Sequence, residues 1–152
     1  MRAVIQRVKR ATLSVGGEEV SSIGGGLMVL VGVTDSDTKK DMEYIGNKIV
    51  GLRVFNDENG VMNVNVGDSQ NEIMVVSQFT LYGDAKKGNR PSYIRAAKGE
   101  FSEPMYEDLI AYIESKGYKV ARGVFGADMA IDMVADGPVT ILIDSERSFN
   151  GN

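Results

Sequence analysis

Alternation between apolar and polar positions divides the chain into short strands, with two segments of helical periodicity among them. Residues 27–33 are apolar almost throughout, which is typical of a strand covered on both faces. Apolar residues recur at spacings of three and four over residues 38–51 and predict an amphipathic helix. A second helix is predicted with Ser102 as its N-cap, Pro104 in its first turn and Gly117 at its end.

The remaining apolar segments predict a sheet. Strands are expected at residues 3–8, 11–15, 19–23, 53–55, 72–81, 119–125, 129–134 and 139–143. Gly16 and Gly17 separate two of them and are typical of a hairpin turn. Because strands outnumber helices and several are joined by short turns, the predicted fold class is α+β, with a mainly antiparallel sheet and two main helices in a single domain spanning 1–152. The polar segment 145–152 is expected to be a frayed tail.

Composition restricts the chemistry that this sheet can carry. The 152 residues include no Cys, no His and no Trp, which excludes thiol nucleophiles, disulfides, Cys/His zinc sites and His-dependent triads. No glycine-rich nucleotide motif and no metal-loop spacing is present, so we expect neither a cofactor nor a metal. No apolar run is long enough for a membrane helix and the N-terminal residues do not form a signal peptide, so a cytoplasmic protein without membrane association is expected.

Charge is distributed unevenly along the chain. The net charge is −4, yet residues 1–10 hold four basic and no acidic side chains, and residues 85–98 hold five basic and no acidic ones. The second segment contains Lys86, Lys87 and Arg90 in a long loop that is broken by glycine and followed by Tyr93. Such a loop suits contacts with the phosphates and bases of a nucleic acid, and it equally suits an ordinary solvated surface.

A succession of polar side chains ends the predicted strand at 72–81. Ser77, Gln78, Phe79 and Thr80 follow a buried apolar run and precede a glycine. Strand alternation would place Ser77 and Phe79 on one face and Gln78 and Thr80 on the other. Hydroxyl and backbone N–H groups could converge there as an oxyanion site requires, or they could simply complete the hydrogen bonds of a turn.

Two further segments allow both a functional and a purely structural interpretation. Gly137-Pro138 precedes a strand and, from local sequence, is an ordinary turn, although an X–Pro bond is also where a cis peptide occurs. Phe125 and Met129 flank a glycine and could form the walls of a nucleobase pocket, while core packing is the more frequent use of such side chains.

Taken together, these segments resemble the D-aminoacyl-tRNA deacylase family over essentially the whole chain. The specific feature is the pair Ser-Gln-x-Thr at 77–80 and Gly-Pro-x-Thr at 137–140. The other matching segments stand in the family's order at residues 1–7, 24–32, 52–55, 62–66, 88–93 and 126–129. One departure is Ala135, where the family usually has Asn two positions before the glycine, and its loss bears on the rigidity of that loop.

The resemblance implies a barrel-like β core, a homodimer and an active site at the interface between subunits. The implied reaction is hydrolysis of the ester that joins a D-amino acid to the 3′-terminal adenosine of tRNA, with glycyl-tRNA as a further substrate. In such a family Gly137-Pro138 is cis, enters the partner's site and excludes L-amino acids, and Arg7 braces this loop. The candidate residues are therefore Ser77, Gln78, Phe79 and Thr80 for catalysis, Gly137 and Pro138 for chiral selection, Arg7 for loop support, and Lys86, Lys87, Arg90, Phe125 and Met129 for tRNA binding.

The composition constrains how the ester would be cleaved. Thr80 has no imidazole to deprotonate it, so we expect attack by water, assisted by the 2′-hydroxyl of the substrate, with Thr80 positioning groups. Without the resemblance, two other functions would stay open. A non-catalytic RNA-binding module would bind aminoacyl-tRNA without shortening the lifetime of the ester, and a small structural oligomer would show neither affinity nor turnover.

Overall fold

The backbone forms a mixed β-sheet on which two long helices pack. The computed structural model describes residues 1–149, and within these bounds it contains eight strands, three α-helices and one 3-10 helix. The strands are β1 (Arg2–Val15), β2 (Glu18–Ile23), β3 (Gly26–Gly32), β4 (Phe55–Asn56), β5 (Met62–Val64), β6 (Glu72–Ser77), β7 (Val120–Arg122) and β8 (Met129–Asp144). The helices are α1 (Lys39–Gly51), α2 (Gly99–Ser115), α3 (Ser145–Phe149) and the 3-10 helix Phe79–Tyr82.

Strand pairing curls the main sheet towards a barrel. Its order is β2-β1-β3-β6-β7, and β8 pairs with the other edge of β1. β1 pairs antiparallel with β2, β3 and β8, whereas β6 pairs parallel with β3 and β7. The two ends of this order approach each other, because the Ser21 hydroxyl on β2 donates to the Arg122 carbonyl on β7 at 2.8 Å. The predicted α+β class is confirmed, with the added finding that the sheet is mixed.

Apolar side chains pack on both faces of the sheet. One cluster joins the sheet to α1 and α2, and it includes the fully buried Ile45, Ile49, Leu109 and Ile110. A second cluster lies on the other face, between β1, β2, β3 and β6. Burial on both faces explains why residues 27–33 are almost continuously apolar, and the prediction of a doubly covered strand is confirmed at β3.

Several predicted boundaries are wrong, each for a local reason. The strand expected at 72–81 ends at Ser77, because the chain then turns into a 3-10 helix. The second helix begins at Gly99 and its N-cap is Lys98, so Ser102 lies within the first turn and donates its hydroxyl to the Lys98 carbonyl at 3.0 Å. The strands expected at 129–134 and 139–143 are one strand, because pairing with β1 continues on both sides of the intervening loop.

The expectation of a frayed tail is wrong for residues 145–149, which form α3. Ser145 is fully buried, and its hydroxyl donates to Oδ1 of Asp41 at 2.7 Å. This hydrogen bond fastens the start of α3 to the first turn of α1. Residues 150–152, the rest of that predicted tail, lie outside the described residues. Among the helices of the described chain, none is both long and apolar enough to cross a membrane.

Candidate active site

The polar segment after β6 turns sharply because its backbone is held by the neighbouring strand. The N–H of Gln78 donates to the Val31 carbonyl at 2.7 Å and continues the pairing of β6 with β3. Directly afterwards the chain enters the 3-10 helix Phe79–Tyr82, and the N–H of Gly83 closes it on the Thr80 carbonyl at 2.9 Å. The predicted alternation of side chains across residues 77–80 is therefore wrong beyond Ser77, since these residues do not continue the strand.

The side chains of Gln78 and Thr80 contact each other directly. The Gln78 amide nitrogen Nε2 donates a hydrogen bond to Oγ1 of Thr80, whose side chain is exposed. An amide donor occupies a lone pair of the hydroxyl oxygen and cannot accept its proton. This contact orients Thr80 without activating it as a nucleophile.

A pocket of about 460 Å³ opens beside this turn. Ser77, Gln78 and Phe79 line one side of it, and Phe125 and Met129 line another. The volume falls in the range typical of small-ligand pockets, which is roughly 300–1,000 Å³. Five of the predicted site residues, distant in sequence, are thus brought to one cavity.

The far wall of the pocket is fixed by aromatic packing that sequence analysis missed. Tyr106 on α2 stacks at a tilt on Phe125, with ring centroids 6.0 Å apart, and its hydroxyl donates to the Val75 carbonyl at 2.8 Å. Burial raises the pKa of Tyr106 to about 12, so this phenol stays protonated and acts as a structural donor. Only its position on the apolar face of the predicted second helix could have indicated this role.

Thr80, the basic loop and the Gly137-Pro138 segment do not line this pocket among the described residues. Lys86, Lys87 and Arg90 are exposed on a loop outside it. That loop closes on itself through two backbone hydrogen bonds of 2.8 Å each between Asp84 and Ser92.

Gly137-Pro138 forms an exposed bulge in β8. Pairing between β1 and β8 jumps from Gln6 opposite Thr140 to Val8 opposite Ala135, so Arg7 stands opposite the bulge. The Gly137–Pro138 peptide bond is cis. Gly137 has a φ of +117°, in the region that favours glycine, and a Cβ there would approach Arg7 Nη2 to 3.1 Å.

Arg7 lies buried beneath this bulge. Its Nε donates to the Asp136 carbonyl at 3.2 Å and lies 3.3 Å from the Asp136 carboxylate, while Nη1 donates to the Val54 carbonyl at 2.7 Å. The guanidinium therefore fastens the entry of the bulge to the segment that precedes β4.

The exit of the bulge has its own pair of contacts, which sequence analysis missed. The Gln6 amide donates through Nε2 to the Val139 carbonyl at 3.2 Å and accepts through Oε1 from the Thr140 hydroxyl at 2.6 Å. The threonine of the Gly-Pro-x-Thr segment and the glutamine before Arg7 could have indicated this pairing. Gln6 and Arg7 together hold both sides of the bulge.

The acidic side chains do not converge on a metal site. Within residues 1–149, no group of three or more carboxylates is close enough to hold a metal ion. The chemistry available at the pocket is that of hydroxyl, amide and backbone N–H groups, together with the carboxylate of Asp128, which also lines it.

Comparisons with known proteins agree on one family. The family model described as D-Tyr-tRNA(Tyr) deacylase matches residues 4–144. A protein of Flavobacterium johnsoniae named D-aminoacyl-tRNA deacylase is 50% identical over 148 residues, covering 97% of this chain and 99% of the relative. One of Parabacteroides distasonis with the same name is 51% identical over 151 residues, covering 97% and 99%.

Solved structures show the same fold. The c-Myc DNA Unwinding Element Binding Protein superimposes with a TM-score of 0.89 at 43% identity, covering 95% of this chain and 98% of that one. A probable eukaryotic D-amino acid tRNA deacylase has a TM-score of 0.79 at 17% identity, covering 93% and 97%, and this likeness concerns the fold alone.

Proposed function

The chain belongs to the D-Tyr-tRNA(Tyr) deacylase family, whose members are hydrolases acting on aminoacyl-tRNA, and we propose that it cleaves the ester of D-aminoacyl-tRNA as a single domain. The products are free tRNA and the D-amino acid. The observation that carries the proposal is the pocket in which Ser77, Gln78 and Phe79 face Phe125 and Met129. An adenine ring suits the apolar side, and the reacting ester would then lie at the polar side.

The turn after β6 supplies the means of stabilising the transition state. The N–H of Gln78 is already bonded to the Val31 carbonyl, so it is not available to an oxyanion. The first N–H groups of a helical turn have no intrahelical acceptor, and these belong here to Phe79 and Thr80. A backbone N–H from this pair would bind the tetrahedral oxyanion, an interaction whose loss typically costs about 3–4 kcal/mol of activation free energy.

Water is the attacking group in this proposal. Thr80 accepts a hydrogen bond from the Gln78 amide, and an amide nitrogen cannot take the proton of that hydroxyl. The 2′-hydroxyl of the terminal ribose is adjacent to the ester and assists the water. An aminoacyl ester is already activated, so positioning and oxyanion binding are sufficient help.

Chiral selection is assigned to the main chain of the Gly137-Pro138 bulge. If its carbonyls face the substrate Cα, an L side chain collides with backbone while a D side chain points away. Glycine has no side chain to exclude, so glycyl-tRNA is accepted. This exclusion uses no side-chain pocket and therefore serves many D-amino acids.

The bulge would act in a second copy of the chain. Neither Gly137 nor Pro138 lines the pocket of its own subunit among the described residues. In the described sheet β8 pairs with no strand other than β1, and Leu142 on β8 has 68% of its surface exposed. A long unpaired edge with apolar side chains favours association, and a two-fold axis would place each bulge against the other subunit.

Two measurements test this proposal. Purified protein should shorten the lifetime of the ester in D-tyrosyl-tRNA, and Phe125→Ala should abolish this while the chain remains folded. Binding without a change in ester lifetime would instead show an RNA-binding module. If the protein neither bound aminoacyl-tRNA nor hydrolysed its ester, the remaining interpretation would be a small structural oligomer.

Mixed dimers test the exchange of bulges between subunits. Gly137→Ala is defective in the bulge and Phe125→Ala in the pocket. Mixing and refolding them together should restore D-selective hydrolysis that neither has alone, because one intact pocket then meets one intact bulge. Gly60→Ala is the matched control, since Gly60 also has a positive φ, of +74°, but lies in open space, and it should retain selectivity. No restoration in the mixture would contradict a shared site.

A further inference from the structure

A fixed apolar surface lies outside the pocket. Phe79, Tyr93 and Ile94, here called the aromatic shelf, are 57%, 39% and 89% exposed. Large apolar side chains that are exposed side by side often mark a surface that binds a ligand or another macromolecule. Phe79 also lines the pocket, so the shelf begins at its rim.

The shelf is held in place by its flanking backbone. The segment that carries Tyr93 and Ile94 is bonded on its far side to the residues that follow β3, where the Thr34 hydroxyl donates to the Arg95 carbonyl at 2.6 Å. On its near side Ser92 pairs with Asp84 through two hydrogen bonds of 2.8 Å. The exposure of Ile94 therefore belongs to an anchored segment and not to an unattached loop.

The two rings of the shelf pack edge to face. The centroids of Phe79 and Tyr93 are 5.2 Å apart and their planes are inclined by 73°. The Tyr93 ring also lies over the backbone at Gly83, where an added Cβ would be 3.0 Å from Tyr93 Cε1. Glycine at this position lets the ring settle against the turn that follows Thr80, so Tyr93 is positioned beside the reactive segment.

Charge identifies what would cover this surface. The shelf adjoins the loop that carries Lys86, Lys87 and Arg90, all of them exposed. An occupant that presents flat apolar faces to Phe79 and Tyr93 and anionic groups to these cations has the chemistry of a single-stranded nucleic acid. Because the surface starts at the pocket rim, it lies where a strand with its terminal nucleoside in the pocket would continue.

We propose that the aromatic shelf binds the unpaired nucleobases that precede the terminal adenosine of aminoacyl-tRNA. One base stacks on the exposed ring of Tyr93 or Phe79, with Ile94 extending the apolar contact, and the connecting phosphates face the basic loop. The inference rests on the proposed function, and it adds a subsite that holds the single-stranded end next to the ester.

Two substrates of different length separate the shelf from the pocket. D-tyrosyl-adenosine reaches only the pocket, whereas D-tyrosyl-CCA trinucleotide also spans the shelf. Tyr93→Ala and Ile94→Ala should each raise KM for the trinucleotide. For Tyr93→Ala the increase should be about fivefold or more, because even the weakest base–aromatic stacking contributes a free energy equivalent to that factor. KM and kcat of Ile94→Ala for D-tyrosyl-adenosine should stay unchanged, because Ile94 does not line the pocket. Tyr93→Phe should keep the low KM for the trinucleotide.

The control is Val61→Ala, which removes a comparable apolar side chain, 58% exposed, from the loop between β4 and β5. It should leave both substrates unaffected. If the shelf variants affected both substrates equally, or neither of them, the proposed binding of nucleobases by the shelf would be contradicted. The proposed deacylase activity would not be affected by that result. Conversion of Ile94→Ala to a monomer would show that a second copy of the chain covers this surface, which overturns it too. If the unmodified protein hydrolyses neither substrate, the proposed function fails and the shelf with it.

Discussion

Arg7 binds Asp136 through two oxygens, donating from Nε to the main-chain carbonyl at 3.2 Å and lying 3.3 Å from a carboxylate oxygen. A third contact, from Nη1 to the Val54 carbonyl at 2.7 Å, anchors the same guanidinium to the core side of the sheet. A planar fork is suited to holding three oxygens in fixed directions, which a lysine ammonium cannot reproduce. This buried side chain therefore holds the entry of the Gly137-Pro138 bulge, while Gln6 holds its exit.

Arg7→Lys should weaken this brace while preserving its charge. Leaving buried carbonyls without their donors costs about 1–3 kcal/mol, and the free energy of unfolding in urea should fall by that amount. Hydrolysis of L-tyrosyl-tRNA should rise relative to the D form, because the bulge is no longer held. Arg10→Lys on the same strand is the control, since its exposed pair with Asp132 contributes little and both measurements should stay unchanged. Unaltered discrimination in Arg7→Lys would contradict the bracing role.

Thr80→Ala should retain part of the activity. Loss of a positioning hydroxyl is expected to lower kcat by about 10- to 100-fold, whereas loss of a nucleophile costs on the order of 10⁶. Rapid-quench kinetics would measure the remaining rate, and mass spectrometry of quenched samples would seek an acylated chain. An ester trapped on the Thr80 side chain would contradict attack by water.

Replacing both Lys86 and Lys87 with Ala should raise KM for aminoacyl-tRNA and flatten its dependence on salt. The slope of log affinity against log salt should decrease by about 0.7 for each phosphate of a single strand that the loop no longer neutralises. Lys39→Ala combined with Lys116→Ala removes the same charge beside α1 and α2 and should leave the slope as it is. If both double variants had the same slope of log affinity against log salt, the loop would be an ordinary solvated surface that does not bind phosphates.

Asp41 makes the folded state less stable at acidic pH. Burial opposes ionisation of this carboxyl, but hydrogen bonds from Ser145 and Thr38 outweigh it and lower the pKa of Asp41 below its ordinary value of 3.8. The unfolded chain then takes up the proton first, so stability is present above about pH 4 and is lost as pH falls further.

Asp41→Asn should flatten that acid loss and reduce stability near neutral pH by about 0.5–2 kcal/mol, because the capping contacts with Thr38 are weakened. Urea unfolding between pH 2.5 and 7 measures both effects. Asp35→Asn, at an exposed position nearby, should keep the slope of the unmodified protein. An unchanged slope in Asp41→Asn would show that this carboxyl is not responsible.

The periodicity of apolar residues predicted the helices and strands whose burial pattern is regular. It failed where contacts between residues distant in sequence determine the structure. The continuous apolar run at β3 matches a strand buried on both faces, and the helical spacing at α1 matches one buried face, so both were predicted within one or two residues. The continuity of β8 through Gly137-Pro138 could not be predicted, because a turn-forming dipeptide gives no information about the strand paired across it. The anchoring of Ser145 to Asp41 likewise joins residues that lie far apart in sequence.

The candidate site was predicted in its parts but not in its arrangement. Ser77, Gln78 and Phe79, and across from them Phe125 and Met129, were expected at a site and line the pocket, whereas Thr80 does not. Polar residues after a buried strand and aromatics beside glycine are visible in sequence. The sequence did not indicate which backbone N–H groups are free to bind an oxyanion. The hydrogen bond from the Gln78 N–H to the Val31 carbonyl depends on the register of β6 against β3. Tyr106 and Gln6 act through packing and cross-strand contacts, which spacing alone does not reveal.

Deacylation of D- and L-tyrosyl-tRNA by one purified preparation, with a chelator present, tests the central claim most directly. The two substrates differ only in the handedness of one carbon, so any difference in rate reports selection at the ester. We expect release of D-tyrosine well above the spontaneous rate and survival of the L ester at its spontaneous rate. Equal acceleration of both esters, or acceleration of the L ester alone, would contradict exclusion of L side chains by the Gly137-Pro138 backbone.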